Sequence, residues 1–344
     1  MKTLLVFALA LCAAVTARAE TQIFNAYDFE FENGSVMPEL RVAYETQGNL
    51  DPGRGNAILL VHGTSGDRHA FDPIIGPGKT FDTNKFFVIT VDAIGGGESS
   101  SPKDGLGQDF PRYTIRDMVA AQHALVIRGL ELSTLRAVGG RSMGSFVCLE
   151  WGIHHPEMVR SLILLVPSPK AEANFQLTVD LMTSVIALDP EWAGGHYTHN
   201  PVEGLRLAGM LYYPWAVSAA YLDRIPAPQF AKELETTARS FGGWDANSLV
   251  FRYAASRAHD VAAPFGGNMT VALSQITAPT LILPSASDRL LSLDGARRIR
   301  DGVKHASYAE IPSDLGHRAG HPAPDTPEGR FIDQQIRAFL AKVE

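Results

Sequence analysis

The sequence predicts an α/β fold with a mostly parallel central sheet flanked by helices and an inserted helical lid. Three observations predict it. Six short apolar runs alternate with longer helical patterns, the signature of strands buried on both faces beneath helices. The alternation lapses between residues 168 and 278 and then resumes. A serine flanked by two glycines sits where one apolar run gives way to a helical pattern.

The N-terminus stands apart from the fold. "MKTLLVFALALCAAVTARAE" begins with Lys2, runs apolar from Leu4 to Val15, and places Ala17 and Ala19 around Arg18. This three-part pattern predicts a secretory signal peptide over residues 1–19, cleaved after Ala19, and a periplasmic or secreted protein. The apolar run is too short to span a bilayer. A lipidated Cys12 would want a small residue before it, and Leu11 is there, so no membrane anchor is expected. Cleavage takes the formal charge from −7 to −9 and leaves Cys148 as the one cysteine. The mature chain then has no internal disulfide, and its stability must come from the core. Cys148, in the apolar "FVCLEW", reads as a buried small hydrophobe.

From residue 20 to 167 the elements follow in order. "IFNAYDFEFENG" and "ELRVAYETQG" alternate polar and apolar residues about a glycine-containing turn, which predicts an antiparallel hairpin at the sheet edge. The runs at 57–63, 86–93, 135–140 and 161–167 are strands, and 115–130 is a helix. Residues 168–278 hold no strong strand and bring Tyr212, Tyr213, Trp215 and Tyr221 close together. This stretch reads as the lid, lying over the sheet edge where open α/β sheets bind ligands. Two further strands, at 279–285 and 306–312, and a helix at 329–343 complete the second part of the core, 279–344.

The chemistry centres on "AVGGRSMGSF". Ser142 falls at a strand-to-helix turn. Gly140 and Gly144 fit because such a turn is strained and its elements pack too closely for Cβ atoms. The following helix turns free N–H groups and its positive dipole end toward the site. A serine hydroxyl needs a base and an orienting acid. In this fold they follow the serine, after late strands, in the order acid then base. Asp288 in "SASDRLL" and His317 in "SDLGHRAGHP" meet that order. His321 is the alternative base; Asp314 lies too late to precede the histidine by a strand. Backbone N–H groups of Met143 and of Thr64, in "HGTSGD", are the expected oxyanion donors. His62 should shape that turn rather than act as a base. Arg141 should point away from the substrate.

Other patterns fail. "GPGKT" needs a glycine at position 73, where Pro73 stands, and "GGGES" breaks the dinucleotide fingerprint at Ser100. The cysteine and histidine spacing supports no metal and no cofactor. Charges are interspersed, without a basic block for nucleic acid. Asn268-Met269-Thr270 would be a glycosylation acceptor only in a eukaryotic secretory pathway and is expected to be bare.

With these residues in place, the chain resembles the homoserine O-acetyltransferase family of the α/β-hydrolase fold. "ELRVAYETQGNLD", "KFFVITVDAIGGGESSSP", "DFPRYTIRDMVAAQHALV", "AVGGRSMGSFVCLEWGIHHPE", "DPEWAGGHY" and "WDANS" carry the likeness. It implies acyl transfer through Ser142, with Asp288 and His317 as acid and base, and a homodimer through the lid. Two positions depart from the family pattern. Arg318 stands after the histidine, where the family has an acidic residue for the acceptor's amino group. Thr183 stands about where a lid arginine would hold the acceptor's carboxylate. With export from the cytosolic acyl-CoA pool, these departures favour an exported serine esterase acting on a small-molecule ester. Tyr212, Trp215 and Arg318 are candidate substrate-binding residues. An acyltransferase with a different acceptor is the alternative. A noncatalytic binding protein on the same fold is a second one, against which the complete triad argues.

Overall fold

The structure is a computed structural model and describes residues 20–321 and 323–343. The expected signal peptide therefore lies outside the described residues.

Among the described residues the central sheet has eight strands. They are β1 (Gln22–Glu30), β2 (Val36–Gln47), β3 (Ala57–Val61), β4 (Phe87–Val91), β5 (Ala137–Arg141), β6 (Leu162–Leu165), β7 (Thr280–Leu283) and β8 (Ala306–Tyr308). Across the sheet they run β1-β2-β4-β3-β5-β6-β7-β8. β1 and β2 form the expected antiparallel hairpin, in register from Gln22 opposite Tyr44 to Glu30 opposite Val36. β2 is also antiparallel to β4; every later pairing is parallel.

The apolar runs are strands because both faces of the sheet are covered. Leu59 and Val61 pack into one core while Ile58 and Leu60, pointing the other way, pack into a second. Each of these four is at most 1% exposed. Four helices flank the sheet: α1 (Ile115–Ala124), α2 (Met143–His154), α9 (Leu293–Gly302) and α10 (Pro327–Leu340). α10 supplies Ile332, Ile336 and Phe339 to the second core. α1 starts at a capping box. Thr114 Oγ1 accepts from the Asp117 N–H at 3.2 Å, and Asp117 Oδ2 accepts from the Thr114 N–H at 2.8 Å. The sequence pattern runs one helix on to Leu130; the chain instead widens into a π-turn over Leu125–Gly129. Every residue of α2 from Met143 to Ile153 is buried. Cys148 is among them, a free thiol on the strand side of α2.

Between β6 and β7 the chain forms six helices: α3 (Ala173–Ala187), α4 (Val202–Ala216), α5 (Ala219–Arg224), α6 (Ala227–Gly242), α7 (Ala246–Arg257) and α8 (Met269–Ser274). An isolated antiparallel bridge between Lys170 and Asp260 draws the start of this excursion to the end of α7. Among the described residues no helix is long and apolar enough to cross a membrane.

Candidate active site

Ser142 joins β5 to α2 with φ 55° and ψ −119°. This left-handed conformation costs a non-glycine residue about 1–3 kcal/mol, and the surroundings hold it there. The Ser142 N–H donates to the Leu165 carbonyl at 2.9 Å, and the Ser142 carbonyl accepts from the Ser145 N–H at 2.8 Å. The glycines allow the close approach. A Cβ on Gly140 would lie 2.2 Å from the Gly144 carbonyl oxygen, and one on Gly144 only 2.0 Å from the Val61 carbonyl oxygen.

His317 Nε2 lies 2.8 Å from Ser142 Oγ, and His317 Nδ1 lies 2.7 Å from Asp288 Oδ2. Both the imidazole and the carboxylate are 2% exposed. The other carboxylate oxygen, Oδ1, accepts from the Leu290 and Leu291 N–H groups at 2.8 and 3.1 Å. With Asp288 ionised, Nδ1 carries the ring proton and Nε2 is free to accept from the serine. Ser287 ties the two loops together. Its hydroxyl donates to the Ser313 carbonyl at 2.7 Å and accepts from the Gly316 N–H at 3.0 Å. His321, the alternative base, lines the same cavity but makes no hydrogen bond to Ser142 or Asp288 among the described residues. Asp314 faces outward into an ion pair with Arg224.

Met143 is the first residue of α2, so its N–H has no acceptor within the helix. Thr64 lines the cavity beside Ser142. The loop carrying Thr64 is pinned by a residue the sequence reading passed over. Arg252 Nη1, fully buried on α7, donates to the Thr64 and Gly66 carbonyls at 2.9 and 2.8 Å. With those carbonyls turned toward α7, the loop's conformation is fixed before any substrate arrives. The one cue was an arginine within a helical lid segment.

His62 shapes the same turn, as expected. Its Nε2 accepts from the Ala93 N–H at 3.0 Å, which leaves the proton on Nδ1, 2.7 Å from the Gly63 carbonyl. Burial, aided by the nearby Arg252 charge, pushes its pKa down to about 4. The folded state thus resists a proton that the unfolded chain takes up near pH 6.5. Stability from this neutral histidine is present above pH 6.5 and is lost as pH falls toward 4. The slope is about 1.4 kcal/mol per pH unit. Denaturant melts at pH 7.5, 6 and 5 should show that loss. His62→Gln, which keeps an acceptor without a titrating ring, should flatten it. An equal slope in the variant would move the acid sensitivity elsewhere.

The triad opens into a cavity of about 770 Å³ between the sheet edge and the lid. α4 contributes Tyr212, Tyr213 and Ala216 to its wall, and α6 contributes Glu233. Trp215 is not there. At 100° per residue it lies just off the face that holds Tyr212, Tyr213 and Ala216. It packs instead against the core, with the Arg289 guanidinium 5.4 Å from its ring centre. Arg318 does line the cavity, but its charge is already met. Its Nη1 lies 2.5 Å from Glu233 Oε2. Glu233 also accepts from Tyr213, Tyr221 and Gln229. Burial opposes its ionisation, yet the bonds from Tyr221, Gln229 and Arg318 win and hold its pKa at about 2. Arg141 corrects a second expectation, since its side chain lines the cavity rather than pointing away.

A serine hydrogen-bonded to a buried histidine–carboxylate pair, beside a preorganised backbone loop, defines an enzyme of the α/β-hydrolase superfamily. A family model described as alpha/beta hydrolase fold matches residues 56–320. A homoserine O-succinyltransferase of Aromatoleum aromaticum is 33% identical, over 83% of this chain and 88% of its own. A homoserine O-acetyltransferase of Leifsonia xyli is 34% identical, over 91% and 87%. Among solved structures, the acetyl esterase MekB superposes with a TM-score of 0.89 at 25% identity, covering 94% of this chain and 97% of its own. The chain belongs to the homoserine O-acyltransferase-like family of the α/β-hydrolase fold.

Proposed function

We propose that this protein is an acyltransferase that passes an acyl group through Ser142 to a hydroxyl acceptor other than homoserine. The 2.8 Å contact between Ser142 Oγ and His317 Nε2 carries the reading, in a chain whose relatives are named homoserine O-acyltransferases. That kinship favours transfer over the plain ester hydrolysis that the sequence departures suggest. Ser142 Oγ attacks the acyl carbon as His317 takes its proton. The Oγ–C bond forms, the donor's C–O or C–S bond breaks, and His317 returns the proton to the leaving group. An acceptor hydroxyl, deprotonated by His317, then attacks the acyl carbon; the bond to Ser142 Oγ breaks and His317 returns the proton to Oγ. Homoserine fits poorly as that acceptor. Glu233, the carboxylate on the cavity wall, has Arg318, Tyr213, Tyr221 and Gln229 on its two oxygens and none left for an ammonium.

The test is partition of the acyl-enzyme. Turnover of 4-nitrophenyl acetate by residues 20–344 should rise with added alcohols and yield their acetate esters. Homoserine should give no more of its acetate ester than it does without the enzyme. Acetic acid as the only product at every alcohol concentration would make the protein a hydrolase, a second reading favoured by the likeness to an acetyl esterase. Export remains part of the proposal on the strength of residues 1–19. N-terminal sequencing of the native protein should begin at Glu20; a chain beginning at Met1 would remove it.

A further inference from the structure

The cavity carries a charge that nothing in the mechanism uses. Arg141 ends β5, directly before the nucleophile, and its side chain lines the cavity. It has no hydrogen bond or ion pair to any described residue, and its Nε is sealed from solvent without an acceptor. The other two cations on the wall are accounted for. Arg318 is paired with Glu233, and Lys232 is exposed to water. The carboxylate of Asp288 is near enough to be felt by Arg141. Its oxygens, however, are taken by His317, Leu290 and Leu291.

Burial pushes the Arg141 pKa down, but a guanidinium keeps its proton in proteins. An unpaired cation in a half-buried site gives up part of its hydration without gaining a counter-charge. Such a group persists in an active site when a ligand supplies the missing charge. The neighbours suit an anion. The phenols of Tyr212 and Tyr253 lie within the field of Arg141, and His321 lies on the same wall. These are neutral groups able to donate hydrogen bonds.

We propose that Arg141 anchors a carboxylate of the substrate, so that the ester or acyl donor turned over at Ser142 carries a negative charge close to its reacting carbonyl. A planar guanidinium binds a carboxylate best through two parallel N–H···O bonds, which is why an arginine rather than a lysine suits this role. The carboxylate can come from either side of the ester bond. It belongs to the acyl part in a monoester of a dicarboxylic acid, and to the alcohol part in the ester of a hydroxy acid. This inference rests on the acyl-transfer reading of the same site.

Two matched pairs of esters test it. On the acyl side, 4-nitrophenyl hemisuccinate is compared with 4-nitrophenyl butyrate; on the alcohol side, acetoxyacetate with propyl acetate. The expected result is a preference of at least tenfold in kcat/KM for the anionic member of one pair, carried mainly by KM. The pair that shows it names the source of the charge. Arg141→Met should erase the preference, and Arg141→Lys should restore part of it. Labelling of Ser142 by a neutral fluorophosphonate checks that each variant keeps an assembled site. No anionic preference in the wild type, or a preference that survives Arg141→Met, overturns the proposal. Calorimetry of succinate with Ser142→Ala separates this proposal from the reading beneath it. Succinate binding that an added Arg141→Met abolishes, together with a wild type that turns over no ester, would keep the anion site and remove acyl transfer. Ester turnover without anion preference would do the reverse.

Discussion

Ser142→Ala is expected to lower kcat for ester or acyl-donor turnover by on the order of 10⁵ to 10⁶-fold, and adding His317→Ala should cost almost nothing more. The two residues act as one unit. Without the hydroxyl, the imidazole 2.8 Å away has no proton to take; without the imidazole, the hydroxyl is a poor nucleophile. Asp288→Asn sharpens the argument. The Leu290 and Leu291 N–H groups both donate to Oδ1. The asparagine carbonyl must take that place, which turns its NH₂ toward His317 Nδ1. Nδ1 then has to accept, the ring proton moves to Nε2, and the nitrogen facing Ser142 becomes a donor. A fall of about 10⁴-fold with little change in KM is expected for this wrong tautomer. Steady-state kinetics on purified variants measure all three. A Ser142→Ala protein retaining even one hundredth of wild-type turnover would show that the acyl group does not pass through this serine.

Gly144→Ala should be nearly as damaging to activity and more so to the fold. The added methyl would sit 2.0 Å from the Val61 carbonyl oxygen and 2.8 Å from that of His62. Both are backbone atoms, so no rotamer change relieves the overlap. α2 must lift from β3, or the end of β3 must move, and either shift displaces the loop that carries Thr64. Overpacking of this kind costs typically about 1–3 kcal/mol, and more against backbone. A misplacement of about 1 Å at a reacting centre costs about 100-fold in rate. The expected protein is therefore both less stable, by at least about 3 kcal/mol, and slower per folded molecule. Gly53→Ala is the control, since nothing lies within 4 Å of the Cβ it would gain. Thermal melts and fluorophosphonate titration of active sites separate the two losses. A Gly144→Ala protein with unchanged melting and turnover would show that the close approach of α2 to β3 is dispensable.

The triad was legible because each member sits in a local pattern: a glycine-flanked serine between strand and helix, an acid after one late strand, a histidine after the next. Chain order along a parallel sheet converts those local patterns into proximity, since each strand ends at the same edge. The strands themselves were legible for a related reason. β3 and β6 are buried on both faces, so their apolar runs are continuous and stand out from any helical period.

The cavity wall was not legible. Glu233 and Arg318 are 85 residues apart and meet only because α6 folds over the sheet edge. Arg252 reaches Thr64 across 188 residues. Trp215 was placed on the wall because aromatics cluster there in sequence, yet the helix turns it toward Arg289. Arg141 was turned away from the substrate by assumption, whereas the tertiary structure gives it the cavity. The sequence by itself determined the α/β class, the chain order that places Ser142, Asp288 and His317 after successive strands, and the turn that lifts the serine, because these depend on periodicity, on glycine sterics and on which strand each residue follows. Only the tertiary structure decided which lid side chains face the nucleophile and which charges in the cavity are paired. Those outcomes depend on how helices with several burial options dock against one another, and no local pattern encodes that.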